Sequence, residues 1–79
     1  MEEIKVAKDK RNRSRVYKKI ELVGTSEDSF EDAIKTAISR AGETLSELSW
    51  FEVKELRGRI KTEGALEYQA VIRLGFEVK

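Results

Sequence analysis

The chain has 79 residues, in which sixteen Lys and Arg nearly balance fifteen Asp and Glu to give a net charge of +1. It has no cysteine and no histidine, which excludes disulfides, thiolate metal sites and histidine-based catalysis. A balanced charge also argues against a dedicated nucleic-acid-binding protein. Because a single domain this short buries a small share of its surface, oligomerisation is the stabilising device that remains.

The first fifteen residues, Met1 to Arg15, are almost wholly polar and predict a flexible tail ahead of one domain at residues 16–79. The alternative is a basic arm that contacts nucleic acid or a membrane surface. No apolar run is long enough to span a bilayer, and no segment has the pattern of a signal peptide. A cytoplasmic protein with no nucleic-acid or membrane partner is therefore expected.

A first strand is predicted at Val16–Val23, which is rich in β-branched and aliphatic residues, and Gly24–Ser26 should end it. Ser26 is the predicted N-cap of the next helix, because its hydroxyl can accept from a free backbone N–H. Apolar residues then recur at spacings of three, four and seven, which predicts a helix from about Glu27 to Leu45 with an alanine-rich buried face. Its first turn contains four acidic residues: Glu27, Asp28, Glu31 and Asp32. Their interaction with the positive end of the helix dipole explains them better than a metal site does.

Two further strands are predicted at Trp50–Lys61 and Ala65–Val78, joined by a turn at Thr62–Gly64. The last strand alternates apolar and polar residues most clearly. The order is therefore β-α-β-β, an α+β fold in which a three-stranded antiparallel sheet has the helix on one face.

The apolar residues of the second strand change from odd to even positions along it: Phe51, Val53, Leu56 and Ile60. One β-bulge near Lys54 or Glu55 would place all four on the helix-covered face. The same bulge would turn Trp50 outward, and a hairpin centred near residue 63 would set Arg57 opposite Gln69 on that outer face.

The face away from the helix would then carry Trp50, Arg57, Arg59, Gln69, Val71 and Arg73. No helix covers this face, so another subunit or a ligand must do so. Trp50 and Gln69 would lie ~20 Å apart along the strands, which places any site that uses both between subunits. The arginines are most simply explained as intersubunit partners of Glu52, Glu55 and Glu67, with phosphate binding as the alternative.

Several stretches resemble the dodecins, in order and with similar spacing, across Arg15 to Lys79. They are Val16-Tyr-Lys-Lys-Ile-Glu-Leu-Val-Gly-Thr-Ser26, Trp50-Phe-Glu-Val-Lys-Glu-Leu-Arg-Gly-Arg59, Glu67-Tyr-Gln-Ala-Val71 and Leu74-Gly-Phe76. The resemblance implies a hollow homododecamer whose subunits each wrap the sheet around one helix. It also implies that flavins bind in stacked pairs at two-fold interfaces.

In that family the residue at Trp50 stacks on the isoalloxazine ring and the one at Gln69 hydrogen-bonds its polar edge. A basic residue at the Arg57 position is associated with coenzyme A in some bacterial members. The resemblance therefore implies a cofactor-binding site of Trp50, Gln69 and Arg57 that takes FMN or riboflavin, with FAD and coenzyme A as further candidates. The implied role is flavin storage or sequestration that limits flavin photochemistry, and no catalytic residue is implied.

Two features depart from the family pattern. The basic N-terminal tail is longer than in many members, and Glu77 stands where many bacterial members carry a basic residue. The resemblance therefore does not imply a phosphate contact at this position, which bears on the preference for FMN over riboflavin or FAD. The alternative functions are a flavin-dependent electron carrier or enzyme, a coenzyme A storage protein, and a nucleic-acid-binding domain that stacks bases on Trp50 and Tyr68. No acid–base residue favours the enzyme, and Tyr68 alternates onto the core face.

Overall fold

The computed structural model describes residues 14–79, and within them it has three strands, one α-helix and one 3-10 turn. These elements are β1 (Val16–Ser26), α1 (Phe30–Gly42), β2 (Leu48–Ile60), a 3-10 turn (Thr62–Gly64) and β3 (Leu66–Val78). The strands form an antiparallel sheet in the order β1-β3-β2. The α+β class and the β-α-β-β order are confirmed. The predicted tail lies outside these residues except for Ser14 and Arg15.

Strand β3 is the central strand and supplies most of the core. Ala70, Ile72 and Leu74 point toward α1 and are 0–1% exposed. They meet the alanine face of the helix, where Ala33 and Ala37 are buried. Small side chains on the helix let it approach the sheet closely, as the alanine pattern predicts.

Helix α1 approaches the sheet closely at Gly24. A Cβ atom at this position would lie 2.1 Å from the carbonyl oxygen of Ala33 and 2.9 Å from the Cβ of Ala37. The prediction that Gly24–Ser26 ends the first strand is therefore wrong, since β1 continues through Ser26. The glycine is needed for packing, and it does not break the strand.

We expect Gly24→Ala to destabilise the protein by about 3 kcal/mol. The added methyl group would clash with the backbone of helix α1, which cannot move aside as a flexible side chain can. Chemical denaturation at fixed protein concentration measures the loss. Gly42→Ala is the matched control, since its nearest new contact would be Leu48 at an ordinary 3.8 Å. Equal stability of the two variants would contradict the close approach.

The helix begins later than predicted because Ser29, and not Ser26, is its N-cap. The Ser29 hydroxyl accepts from the backbone N–H of Asp32 at 2.9 Å. Ser26 instead organises the preceding turn, accepting from the N–H of Asp28 at 2.9 Å and donating to the Asp32 carboxylate at 2.7 Å. Both serines satisfy backbone N–H groups near the start of the helix, but only Ser29 directly precedes the helix and caps it.

The helix also ends earlier than predicted, at Gly42, which is poorly suited to a helix interior. Leu45 lies beyond it and still packs on the core. No helix of the described segment is long and apolar enough to cross a membrane.

Strand β2 contains the predicted bulge. Val53 pairs with Ile72 and Glu55 with Val71, which leaves Lys54 as the extra residue. A second irregularity, not predicted, leaves Ser49 between two paired residues. The bulge places the apolar side chains of β2 on the same side of the sheet as α1, as expected.

The expectation that the helix covers these side chains is wrong. Helix α1 packs on β1 and β3, and the inner side of β2 remains 45–78% exposed at Phe51, Val53, Leu56 and Ile60. The reason is strand order: β3 lies between β2 and β1, so β2 is the edge farthest from the helix axis.

Candidate ligand-binding site

The outer face of the sheet presents Trp50 as a flat aromatic surface. Trp50 pairs with Gly75 of β3, and its indole lies directly on that glycine. A Cβ atom at position 75 would lie 2.5 Å from Cη2 and Cζ2 of the indole. The other side of the ring is left open, with Trp50 38% exposed. The indole is therefore supported from below and free to stack with a planar ligand from above.

The indole is also held by its polar edge. Its Nε1–H donates to the Glu52 carboxylate at 3.2 Å, and Lys19 of β1 contacts the same carboxylate at 3.3 Å. The hydrogen bond from Trp50 and then that from Lys19 lower the pKa of Glu52 below its usual 4.5. Ionised Glu52 thus fixes the orientation of the ring at neutral pH.

Acid should weaken this arrangement. Because the pKa of Glu52 is lower in the folded protein than the usual 4.5, its contribution to stability is present above pH 4.5 and is lost as pH falls through the folded-state pKa. We expect the free energy of unfolding to fall more steeply below pH 4.5 in the wild type than in Glu52→Gln. Urea unfolding at a series of pH values and one protein concentration tests this, and parallel pH profiles would refute it.

Tyr17 closes one side of the aromatic surface and was not singled out from the sequence. Its ring meets the indole edge-on, with centroids 4.9 Å apart and planes at 69°. Tyr17 and Trp50 come from the two edge strands and meet across Gly75 and Glu77 of β3. The contact depends on strand order, which the periodicity of each strand does not reveal.

The other end of the outer face carries Arg57 and Gln69, paired across the strands as predicted. The Arg57 Nε–H donates to the Gln69 amide oxygen at 2.7 Å, and the Gln69 amide nitrogen donates to Glu67 at 3.0 Å. That bond and then the nearby Arg59 charge lower the pKa of Glu67. The amide of Gln69 is thereby oriented, and it retains one further N–H and an acceptor lone pair for a ligand.

Within one chain these two ends do not meet. Trp50 pairs with Gly75 and Arg57 with Gln69, so the pairs are six steps apart along β3, about 20 Å at the usual rise. Arg57 and Gln69 are therefore together, and Trp50 is apart from both. A site that uses all three requires a second copy, which stays a prediction.

The arginines of the outer face form ion pairs inside the chain. Arg57 pairs with Glu55 at 3.6 Å and Arg59 with Glu67 at 3.2 Å. These two arginines thus meet two of the expected glutamates within one chain, and pairs between subunits stay a prediction. Arg73 has a different partner from those expected, Glu21 on β1, whose pKa is lowered first by Lys54 and then by Arg73.

The inner side of the sheet has a second open region. A cavity of about 410 Å³ lies between β1 and α1, and its mostly apolar lining also includes Thr25, Thr36, Thr44 and Arg40. Its apolar lining comprises Ile20, Leu22, Ala37, Ala41 and Leu45. This groove and the exposed inner side of β2 are both apolar and both uncovered in one chain.

The comparisons with known proteins agree with this geometry. The family model described as Dodecin matches residues 16–79. The chain belongs to the dodecin family. It is 55% identical over 65 residues to the dodecin of Thermus thermophilus. The aligned residues make up 82% of this chain and 94% of that relative. Family membership supports a small-ligand-binding protein built from copies of one chain.

Solved dodecins have the same fold. The crystal structure of an arginine-to-alanine variant of the Thermus thermophilus dodecin matches with a TM-score of 0.78 and 55% identity, over 84% of this chain and 97% of that one. The dodecin of Streptomyces coelicolor matches with a TM-score of 0.80 and 37% identity, over 86% and 97% of the two chains. The shared fold extends from strand β1 to strand β3.

A more distant relative is described as a calcium dodecin. It comes from Mycobacterium tuberculosis and is 28% identical over 64 residues, covering 81% of this chain and 90% of the relative. In residues 14–79 of the present dodecin, no three or more acidic, histidine or cysteine side chains are grouped to hold a metal ion.

Proposed function

We propose that this dodecin is a flavin-binding storage protein that stacks FMN or riboflavin between Trp50 side chains at interfaces between copies. Stacking against indole quenches the excited flavin and so limits its photochemistry. The observation that carries the proposal is the Trp50 indole, which lies flat on Gly75 with its opposite side open.

The shape of the aromatic surface suits a large planar ring. Glu52 and Tyr17 restrict the indole in two directions, so little side-chain entropy remains to be lost when a ring stacks on it. Indole and isoalloxazine are both large, flat and polarizable, and their stacking adds about 0.5–1.5 kcal/mol beyond the burial of apolar area.

Gln69 supplies the polar complement in this proposal. Flavin has donors and acceptors along one edge, and an amide offers both. Because Gln69 lies about 20 Å from Trp50 in the same chain, we place the flavin where the Trp50 of one copy approaches the Gln69 of another. Arg57 orients the amide through its 2.7 Å hydrogen bond.

The assembly that we propose is a hollow shell of twelve copies. A single chain leaves apolar side chains exposed on the inner side of β2 and an apolar groove between β1 and α1. Two different surfaces on one chain allow a head-to-tail contact that closes into a ring, and a self-complementary contact at the outer face can then join rings.

A binding protein is favoured over a flavoenzyme or an electron carrier. An enzyme needs room for substrate beside the flavin and a proton donor or acceptor at the reacting atom. In the described residues, Glu52 and Lys19, two of the charged groups beside Trp50, are paired with each other. A flavin stacked between two indoles also has no free face for a substrate.

Calcium is the second candidate ligand, because one relative is described as a calcium dodecin. Coenzyme A is a third, supported by the exposed guanidinium groups of Arg57 and Arg59.

The proposed function is tested on the purified full-length protein. We expect bound or added riboflavin to give a red-shifted, weakly fluorescent complex, and light scattering to give the mass of about twelve subunits. Calcium and coenzyme A are titrated separately by calorimetry. A protein that leaves riboflavin and FMN fluorescence unchanged at micromolar concentration does not bind flavin, and the proposal then fails.

A further inference from the structure

Glu77 lies beside the aromatic surface and its charge faces the same side. It is two residues beyond Gly75 on β3 and pairs with Tyr17 on β1. Two residues of a strand span about 7 Å, which is within about one Debye length in physiological salt, so the interaction is only partly screened. A ligand stacked on Trp50 therefore lies in the field of the Glu77 carboxylate.

The cations near this carboxylate are already engaged. Arg15 contacts Glu77 at 3.2 Å, and the Glu77 side chain is 21% exposed. Lys79 lies 3.8 Å from Glu47 and 4.0 Å from Glu77. In residues 14–79 each cation at this end of the outer face thus has a carboxylate partner.

Lys19, the cation directly across Gly75 from Trp50, is held in the same way. Its ammonium contacts Glu52 at 3.3 Å, and Glu52 also accepts the indole N–H. A phosphate that recruited Lys19 would weaken the contact that orients the ring. Within residues 14–79 of one chain, the surroundings of the indole therefore offer no cation to an anionic ligand without breaking an existing pair.

We propose that Glu77 makes this dodecin discriminate against phosphorylated flavins, so that its preferred ligand is an uncharged flavin of the riboflavin type. A phosphate monoester carries between one and two negative charges at pH 7. Placed near Glu77 it is repelled, or it must take Arg15 from Glu77 and leave that carboxylate unpaired. An uncharged flavin is not repelled by Glu77 and does not need to take Arg15 from it. This inference rests on the proposed function, which it makes specific.

The test is a pair of fluorescence titrations, with riboflavin and with FMN, on the wild type and three variants. Glu77→Gln removes the charge at nearly constant size, and Glu77→Arg reverses it. Glu43→Gln is the matched control, because it makes the same change of net charge at the end of the helix. Light scattering confirms that each variant keeps the wild-type mass.

We expect the wild type to bind riboflavin more tightly than FMN, and Glu77→Gln to reduce this ratio by about 3- to 10-fold. Glu77→Arg should bring the ratio to one or invert it, and Glu43→Gln should leave it unchanged. Raising the salt concentration should strengthen FMN binding to the wild type and leave riboflavin binding constant, because only the charged ligand is repelled.

Two results would contradict the proposed discrimination between FMN and riboflavin without contradicting the proposal that the protein binds flavin. One is a wild type that binds FMN as tightly as riboflavin. The other is a ratio that Glu77→Gln does not change. If neither flavin binds the wild type, the proposed function itself fails and the discrimination fails with it. The salt dependence of the wild type needs no variant, so a variant that misfolds does not prevent the test.

Discussion

Trp50→Ala is expected to weaken flavin binding by about 1–3 kcal/mol while leaving the oligomer intact. The indole provides the open aromatic surface, and its removal exposes Gly75, which has no side chain to replace it. Flavin that still binds should fluoresce more strongly, because its quencher is gone. Fluorescence titration with riboflavin gives both the affinity and the quenching.

Gln69→Ala is the companion variant, because it removes a hydrogen bond and leaves the aromatic surface. It should cost about 1 kcal/mol of binding and leave the quenching nearly unchanged. The contrast separates stacking from hydrogen bonding within one experiment. If Trp50→Ala binds and quenches flavin as the wild type does, Trp50 serves only to pack an interface.

Leu56→Glu is expected to abolish the assembly. Leu56 lies on the inner side of β2 and is 48% exposed in the single chain, although it is an aliphatic residue in a row of exposed apolar side chains. A carboxylate buried there without a partner costs several kcal/mol at each interface, and symmetry repeats that cost in every copy. Light scattering should show small species in place of the large oligomer.

The matched control places the same side chain elsewhere on the hairpin. Thr62→Glu lies in the exposed turn between β2 and β3 and should keep the wild-type mass. Far-UV circular dichroism shows whether Leu56→Glu retains its secondary structure. An oligomer of unchanged mass in Leu56→Glu would mean that the inner side of β2 faces solvent in the assembly.

Much of the sheet could be predicted because alternation determines which face a side chain occupies. The clear alternation of β3 and the phase change in β2 together predicted a bulge near Lys54 or Glu55, which the structure has at Lys54, and the pairing of Arg57 with Gln69. These features depend on neighbouring residues and on one hairpin. They need no knowledge of distant contacts.

The errors arose where a residue type has two uses. Glycine breaks strands, but Gly24 lies within β1 because helix α1 passes too close for a Cβ atom. Serine caps helices, and of Ser26 and Ser29 only the second has the cap geometry. A local pattern cannot decide between these uses, since tertiary packing does.

The surroundings of Trp50 required the strand order. Strand β1 lies next to β3, and only this arrangement brings Tyr17 and Lys19 to the indole and its Glu52 partner. The periodicity of the sequence alone is compatible with other orders of the three strands in the sheet. The prediction that helix α1 covers the inner side of β2 was wrong because it, too, required the strand order.

The two irregularities of β2 have a consequence for its tolerance of deletions. Lys54 and Ser49 are surplus to the ladder, since the paired residues on either side of each already occupy consecutive positions opposite β3. Loss of Lys54 would leave Trp50 opposite Gly75 and Arg57 opposite Gln69, whereas an insertion into the regular part of the strand would exchange its two faces. We therefore expect the length of β2 to be able to change at these two residues without moving the aromatic surface.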